Sequence, residues 1–408
     1  MGVITLPVLS NCSNKQHGFF AAHLLVLAVV FPLQATAQPS STRVTGYELT
    51  DLGTFAGGDS SGAWALADTG TVVGWALDAS GKRHGFVACD DCVMQDLGIL
   101  PFGDDSAATA ISNNGQYIVG FSETQVCCQV IGPEGPFDIP YPYKHRRGVL
   151  WAGETMESLG ALYCNCTPSI RVLMSEAHGV NDSGQVVGFS RVLAWNSDHV
   201  FHWQNGAMTE LDGSPFYPLG HRAFGINNQG QIVGEFQNAT SLDDYFAFIW
   251  QSGVYELLPH LPLFDSSTAV AINAQGEVAG WSHNGTQGSP APSAAALWFE
   301  GEVTAIGKLD GDASSRALGI NDIGQVVGWS GVSGNSRAFL WRDGEMMDLN
   351  TLLPPNSGWA LIEAKDINNA GMIAGTGYRN GQLRAFLLKP PSMAASEHRP
   401  VGVPGHLR

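Results

Sequence analysis

Apolar residues along the chain fall in short runs bounded by glycine, asparagine and aspartate. Neither a long 3.6-residue period nor an unbroken apolar stretch of spanning length recurs through the body of the chain. Such runs predict strands joined by tight turns. Aligned with itself, the chain yields one motif seven times, Ala-x-x-Ile-Asn-x-x-Gly-x-Val-x-Gly, beginning at Ala63, Ala108, Ala177, Ala223, Ala269, Ala317 and Ala364. Its central glycines, Gly70, Gly115, Gly184, Gly230, Gly276, Gly324 and Gly371, are separated by 45, 69, 46, 46, 48 and 47 residues. A second motif lies between copies, seen best as Arg337-Ala338-Phe339-Leu340-Trp341, a turn at Gly344, and Met347-Asp348-Leu349. It recurs around Phe86, Trp151, Trp203, Trp250 and Trp298, where the aromatic residues read as core.

Each unit therefore holds four strand-like segments. The Asn-x-x-Gly step is a turn in which Asn bonds the local backbone and Gly supplies positive φ. Four strands in about 45 residues is the period of a propeller blade, and seven copies fall within the range that closes a ring. Helical solenoids need longer periodic segments than these. The prediction is an all-β, seven-bladed β-propeller of four-stranded antiparallel blades over 46–389. The last unit stops at its third strand, Arg384-Ala385-Phe386-Leu387-Leu388, while a fourth-strand motif over Tyr47–Gly53 precedes the first copy. Pairing the two would latch the ring and leave no open edge at the seam.

Comparing the units position by position predicts ion pairs. The third strand starts with His84, Arg147, His199, Phe246, Ala294, Arg337 and Arg384; the fourth ends with Asp96, Ser158, Glu210, Leu257, Ala305, Asp348 and, across the seam, Asp51. Basic meets acidic in four units, His84 with Asp96, His199 with Glu210, Arg337 with Asp348 and Arg384 with Asp51, as expected of structural cross-strand pairs rather than catalytic groups.

The N-terminus changes the picture of where the protein works. Lys15 is the only formally charged side chain before Arg43, an apolar run covers 19–33, and Ala35-Thr36-Ala37 has the small-x-small form of a signal peptidase site. Residues 1–37 read as a cleavable signal peptide, 38–45 as a short linker and 390–408 as a disordered tail. The apolar run is too short for a bilayer span, so the mature chain is expected to be secreted or periplasmic without a membrane span. Of the 7 cysteines, Cys12 leaves with the leader, and Cys89, Cys92, Cys127, Cys128, Cys164 and Cys166 remain as disulfide candidates. A net charge of −17, with no basic run, argues against nucleic acid.

The strand beginning with His or Arg followed by Ala-Phe-Leu-Trp, joined to the Ile-Asn-x-x-Gly-x-Val-x-Gly turn, resembles the extracellular HAF repeat family over about 46–389. The resemblance implies an exported bacterial repeat protein; it carries no catalytic residues. Members of the family commonly end in a hydrophobic sorting helix, which the polar, Pro-containing 390–408 segment is not.

Departures from the repeat mark the functional candidates. The long step places insertions at 122–146 and 160–176, on the face formed by loops from second to third strands and from one blade to the next. Cys127-Cys128 and Cys164-Asn165-Cys166 sit in them and are expected to form at least one disulfide between the insertions; a zinc site of thiolates with His145 is the alternative. Cys89-Asp90-Asp91-Cys92 lies in a hairpin on the opposite face and reads as a small structural disulfide. Loops between blades carry Asp59, Asp104, Asp265 and Asp312, a weak ring of ligand-binding carboxylates for the channel mouth that could take Ca²⁺ or a cationic ligand, although local turn bonding accounts for them as well. No metal or other cofactor is otherwise called for. His-Glu-x-x-His, Gly-x-Ser-x-Gly and the phosphate-cradling Gly-x-x-x-x-Gly-Lys-Ser are absent, and Gly-x-Val-x-Gly is followed by no helix. The leading expectation is a monomeric binding or scaffolding module for an extracellular ligand, glycan or protein, more a binder than an enzyme. The alternative is a polysaccharide hydrolase or lyase drawing on Asp138, His145, Glu154, His221 or Asp265, two carboxylates then having to face each other across a cleft.

Overall fold

The computed structural model describes residues 41–44 and 47–391 apart from 133–134, 154, 163–173, 193–196, 212–219, 238–243, 286–291 and 333; for 41–44, 126–132, 135–143 and 192 it describes the backbone alone. Seven antiparallel sheets stand around one axis. Their innermost strands are Ser61–Leu66, Ser106–Ile111, Met174–Val180, His221–Ile226, Ser266–Ile272, Ser314–Ile320 and Trp359–Ile367, here blades 1 to 7 in order. Each touches its neighbours, and the seventh touches the first. The core lies between blades: Val327 and Leu340 of blade 6, for example, pack with Leu361, Ile373 and Phe386 of blade 7.

The repeat has a physical cause in these strands. In every blade the register slips directly after the motif alanine, at Ala63/Ala65, Ala108/Ala110, Ala223/Gly225, Ala269/Ala271, Ala317/Gly319 and Ala364/Asp366 among them. In blade 3 the slip lies between Ala177 and Gly179. Such a bulge bends the strand and drives the preceding carbonyl onto the second strand. A Cβ at Gly280 would lie 2.0 Å from the Thr268 carbonyl oxygen, and one at Gly74 would lie 2.1 Å from that of Gly62. The last glycine of the motif is thus imposed by the bulge, whereas the central one, such as Gly276 at φ 82°, supplies the turn.

The ring closes through the amino end. Tyr47–Gly53 is the fourth strand of blade 7, pairing Glu48 with Lys389 and Asp51 with Phe386. Ser41–Val44, expected to be linker, adds a fifth strand outside it.

The expected charge pairs need a correction in register. Phe339, not Arg337, faces Asp348, and Phe201 faces Glu210, because the basic residue lies one pair further along. The side chains reach across that diagonal: His84 Nδ1 lies 2.8 Å from Asp96, His199 Nδ1 2.7 Å from Glu210, and Arg337 Nη1 2.9 Å from Asp348. At the seam the partners differ. Asp51 pairs with Arg379, while Arg384 donates to the Asp59 carbonyl and to Gln382, so the latch rests on backbone pairing and buried Leu49 and Leu52 rather than on an Arg384–Asp51 bond.

The 122–146 insertion is a continuation of the sheet. Strands Tyr117–Gly132 and Gly135–Ala152 stay paired out to Gly132 opposite Gly135. Cys89 and Cys92 are disulfide-bonded, with Cα atoms 4.9 Å apart. The side chains of Cys127 and Cys128, and all of Cys164 and Cys166, lie outside the described positions, as do the expected leader 1–37 and the expected tail from 392 on. Among the described residues no helix is long and apolar enough to cross a membrane.

Candidate functional site

Every innermost strand runs from the insertion face to the Asn-x-x-Gly turns, and the positions that follow the motif alanine line the central cavity. The residues directly after it, Trp64, Thr109, His178, Phe224, Val270, Leu318 and Lys365, stand in the channel. At the next position six blades carry Ala or Gly and blade 7 carries Asp366. With the residues of the turns they line a polar cavity of about 220 Å³.

At the turn end side-chain hydrogen bonds tie blade to blade from blade 3 round to blade 1. Asn181 Nδ2 donates to the Asn227 carbonyl of the next blade, and the same bond recurs from Asn227 to Asn273, Asn273 to Asn321, Asn321 to Asn368, and Asn368 to Ala67, at 3.0–3.1 Å. Each Asn Oδ1 meanwhile accepts from its own turn, as Asn273 does from the Gln275 and Glu277 amides. The turn bonding expected from sequence is therefore half of the role; the amide nitrogen ties blade to blade. A second chain runs beside it, Asn369 Nδ2 bridging Asp68 and Asp322 at 3.0 and 2.8 Å. These carboxylates are occupied.

Asp366 sits between. It accepts from the Leu66 amide across the blade boundary and from the Ile367 amide, at 2.8 and 2.9 Å. Burial pushes its carboxyl up to about 7, the nearby Asp68 charge adding to the effect against those two bonds. The adjacent Lys365 is paired with Glu363 at 2.8 Å.

At the insertion-face end, the residues before the motif alanine are Gly62, Ala107, Glu176, Arg222, Thr268, Arg316 and Glu363, paired with Trp75, Phe121, Phe189, Glu235, Trp281, Trp329 and, for Glu363, Thr376. This tier is charged and aromatic, and it is asymmetric. Arg146 lies 4.2 Å over the Phe121 ring and bonds Glu176 at 2.8 Å. Burial opposes ionisation of Glu176, but His178 and Arg146 outweigh it and hold the carboxyl below its usual range. Arg222 lies 5.0 Å over Phe189 and is paired with Asp198. Arg316 is different. Its guanidinium lies 4.6 Å from the Trp281 ring centre and 5.5 Å from that of Trp329, with no carboxylate within 4.0 Å among the described residues. Burial lowers its pKa, and the more distant Glu235 and Glu363 do not offset this. Its buried Nε has no hydrogen-bond partner. Nor has Nε2 of His283, which is 4% exposed, bonds the Gly285 carbonyl through Nδ1 at 3.1 Å, and is held neutral by burial and by the Arg316 charge.

The sequence-predicted carboxylates are bonded within the loops that carry them or to neighbouring strands and turns. None of Asp59, Asp104, Asp265 and Asp312 lines the channel cavity. Asp59 bonds Ser60, Asp104 pairs with Lys82 and Lys144, Asp265 bonds Ser266 and the Gly285 amide, and Asp312 pairs with Arg337 at 2.8 Å. Their side chains thus meet the basic ends of third strands and neighbouring turns. Of the groups named for glycan hydrolysis, the side chains of Asp138 and Glu154 lie outside the described positions, His145 is buried, and His221 lines a second, smaller cavity between blades 3 and 4.

No family model matches the chain, and no curated protein does. Solved structures similar to it include the β-propeller domain of the Trilobed protease from Pyrococcus furiosus, at 11% identity, covering 86% of this chain and 96% of that one with a TM-score of 0.40. YCF48 bound to D1 peptide matches at 10% identity, 86% and 99% coverage and TM-score 0.42. XC5397 from Xanthomonas campestris, a gluconolactonase, matches at 11% identity, 87% and 95% coverage and TM-score 0.38. The likeness is one of fold.

Proposed function

We propose that the protein is an exported β-propeller binding module that takes an acidic glycan, bearing carboxylate or sulfate groups, at the insertion-face mouth of its channel. The N-terminal leader pattern, the disulfide and the resemblance to the HAF repeats support export. The observation that carries the ligand reading is Arg316. Arg146 and Arg222 occupy comparable places over aromatic rings and each has a carboxylate; Arg316 is desolvated between two indoles and has none among the described residues. A guanidinium in that state gains most from an anionic group that meets its planar fork. His283 Nε2 beside it is a neutral acceptor for a ligand hydroxyl. A sugar acid supplies both.

Titration of the full-length protein with uronic-acid oligosaccharides by calorimetry, against neutral oligosaccharides of equal length, tests this. Acidic chains are expected to bind and neutral ones not, and Arg316→Met is expected to weaken binding at least about tenfold, the equivalent of one charge-assisted bond. Equal affinity for neutral chains, or an Arg316→Met variant that binds like the parent, would refute it.

A further inference from the structure

We infer that blade 3 carries a second, chemically distinct site: Ser197, His199 and Glu210 form a nucleophile–base–acid relay that hydrolyses short-chain carboxylic esters. Ser197 Oγ lies 2.8 Å from His199 Nε2, and His199 Nδ1 lies 2.7 Å from Glu210 Oε1. With the carboxylate accepting from Nδ1–H, Nε2 is left as the acceptor for the serine proton, which is the tautomer a general base requires. Both spacings come directly from the fold. Ser197 and His199 are two residues apart on the strand Ser197–Gln204, hence on one face, and Glu210 stands opposite Phe201 on the neighbouring strand, one diagonal away.

Comparison among the blades separates this arrangement from the recurring charge pair. Two residues before the basic position, blade 1 has Lys82, blade 2 His145, blade 6 Asn335 and blade 7 Gln382; the hydroxyl is found in blade 3. His84 and Arg337 meet their carboxylates without any serine. A pair serving only the fold needs no third member.

The relay also opens onto space. Ser197 lines a polar cavity of about 160 Å³ between blades 3 and 4, together with Arg191, His221, Arg222, Glu235 and Tyr245. His199 itself is fully buried, as an orienting base behind its nucleophile should be. Arg191 and Arg222 both clasp Asp198, at 2.6 Å, and place two guanidinium charges against one carboxylate on the cavity wall. Burial works against Asp198, but the two arginines outweigh it and keep it ionised. With Glu235 on the same wall the charges balance, and the guanidinium N–H groups are the donors the cavity offers to an ester oxygen as it becomes an oxyanion. The cavity's size and polarity suit a small acyl group such as acetyl.

The chemistry closes without a further reagent than water. Ser197 Oγ adds to the ester carbonyl carbon as its proton passes to His199 Nε2. The carbon–oxygen bond to the alcohol breaks, and the alcohol leaves with that proton. Water then adds to the acyl-serine, giving a proton to Nε2; the Ser197 ester bond breaks, the serine recovers the proton, and the free acid departs. This activity does not rest on the glycan-binding reading, and its site does not include Arg316.

The full-length protein treated with a fluorophosphonate probe is expected to be labelled at Ser197, located by peptide mass mapping, and to hydrolyse p-nitrophenyl acetate. Ser197→Ala should abolish labelling, and Glu210→Gln, which keeps the volume, should slow hydrolysis by about 10- to 10⁴-fold and move its pH profile, an effect a merely structural pair would not have. His199→Gln is expected to lose activity as Ser197→Ala does; should it fail to fold, the other two variants decide. An unlabelled parent, label on another residue, or a Ser197→Ala variant labelled at the parent rate overturns the assignment.

Discussion

Removal of all residues before Thr54 is expected to prevent a folded monomer from forming. The deletion takes away the fourth strand of blade 7 and with it the ladder from Glu48–Lys389 to Gly53–Ala385. It also uncovers two core clusters at once, because Leu49 packs with Phe386 and Leu388 and Leu52 packs with Leu66 and Phe86 of blade 1. These leucines are 2% and 4% exposed. Each large-to-small change at such a site costs about 2–5 kcal/mol, and two together approach the whole stability of an ordinary domain, about 5–15 kcal/mol. A Leu49→Ala/Leu52→Ala double variant should therefore lose about 4–10 kcal/mol, while the deletion leaves a bare sheet edge that associates with other chains. Thermal unfolding by circular dichroism and gel filtration check both. A truncated chain that stays monomeric with the parent's cooperative transition would show that the ring closes without this strand.

Why this latch could be read in the sequence, and the binding tier could not, follows from what repeats. Seven alanines and seven paired glycines at one spacing leave little choice of fold, and a missing fourth strand at one end with a spare one at the other fixes the closure. Each glycine has a local cause, a bulge carbonyl about 2 Å from where a Cβ would stand in blade 5, or a turn φ near 80°. Turns, bulges and alternation are set by neighbours in sequence, so they are legible there.

The axis of the ring is not local. The residues that line it are flanking positions of the same alignment: Gly62, Ala107, Glu176, Arg222, Thr268, Arg316 and Glu363 before the motif alanine, and Ala65 through Asp366 after it. Their departure from a common residue was visible, but only the bulge decides which of two adjacent positions turns to the channel. The interblade loops repeat for a local reason. Asp59, Asp104, Asp265 and Asp312 recur, and recurrence there reports bonds to Ser60, Lys82, Ser266 and Arg337. A repeated polar residue tends to serve the repeat; an unrepeated one such as Asp366, Arg316 or Ser197 is where function departs from scaffold.

Asp366 gives the second large effect. Its carboxyl, raised to about 7, binds a proton more tightly in the folded protein than in the unfolded chain, where an aspartate titrates near 3.9. The usual sign for a carboxylate is thus reversed. Stability from this group is present in full below the unfolded value and is lost as pH rises through about 7, because the folded ring must then hold a charge beside Asp68, with the Leu66 and Ile367 amides as its donors among the described residues. Between pH 5.5 and 8.5 the loss amounts to about 2 kcal/mol, and it flattens above that range. Asp366→Ala installs the residue that blades 1, 2 and 5 carry at this position. It gives up the Leu66 contact, so at pH 5.5 the variant should be the less stable of the two. At pH 8.5 it should have closed that gap by about 2 kcal/mol, since it no longer carries the ionisation penalty. Urea unfolding of parent and variant at the two pH values measures the difference directly. Parallel pH dependences would mean that Asp366 is ionised in the folded ring at both, and that the channel is wet enough at this level to hold the charge.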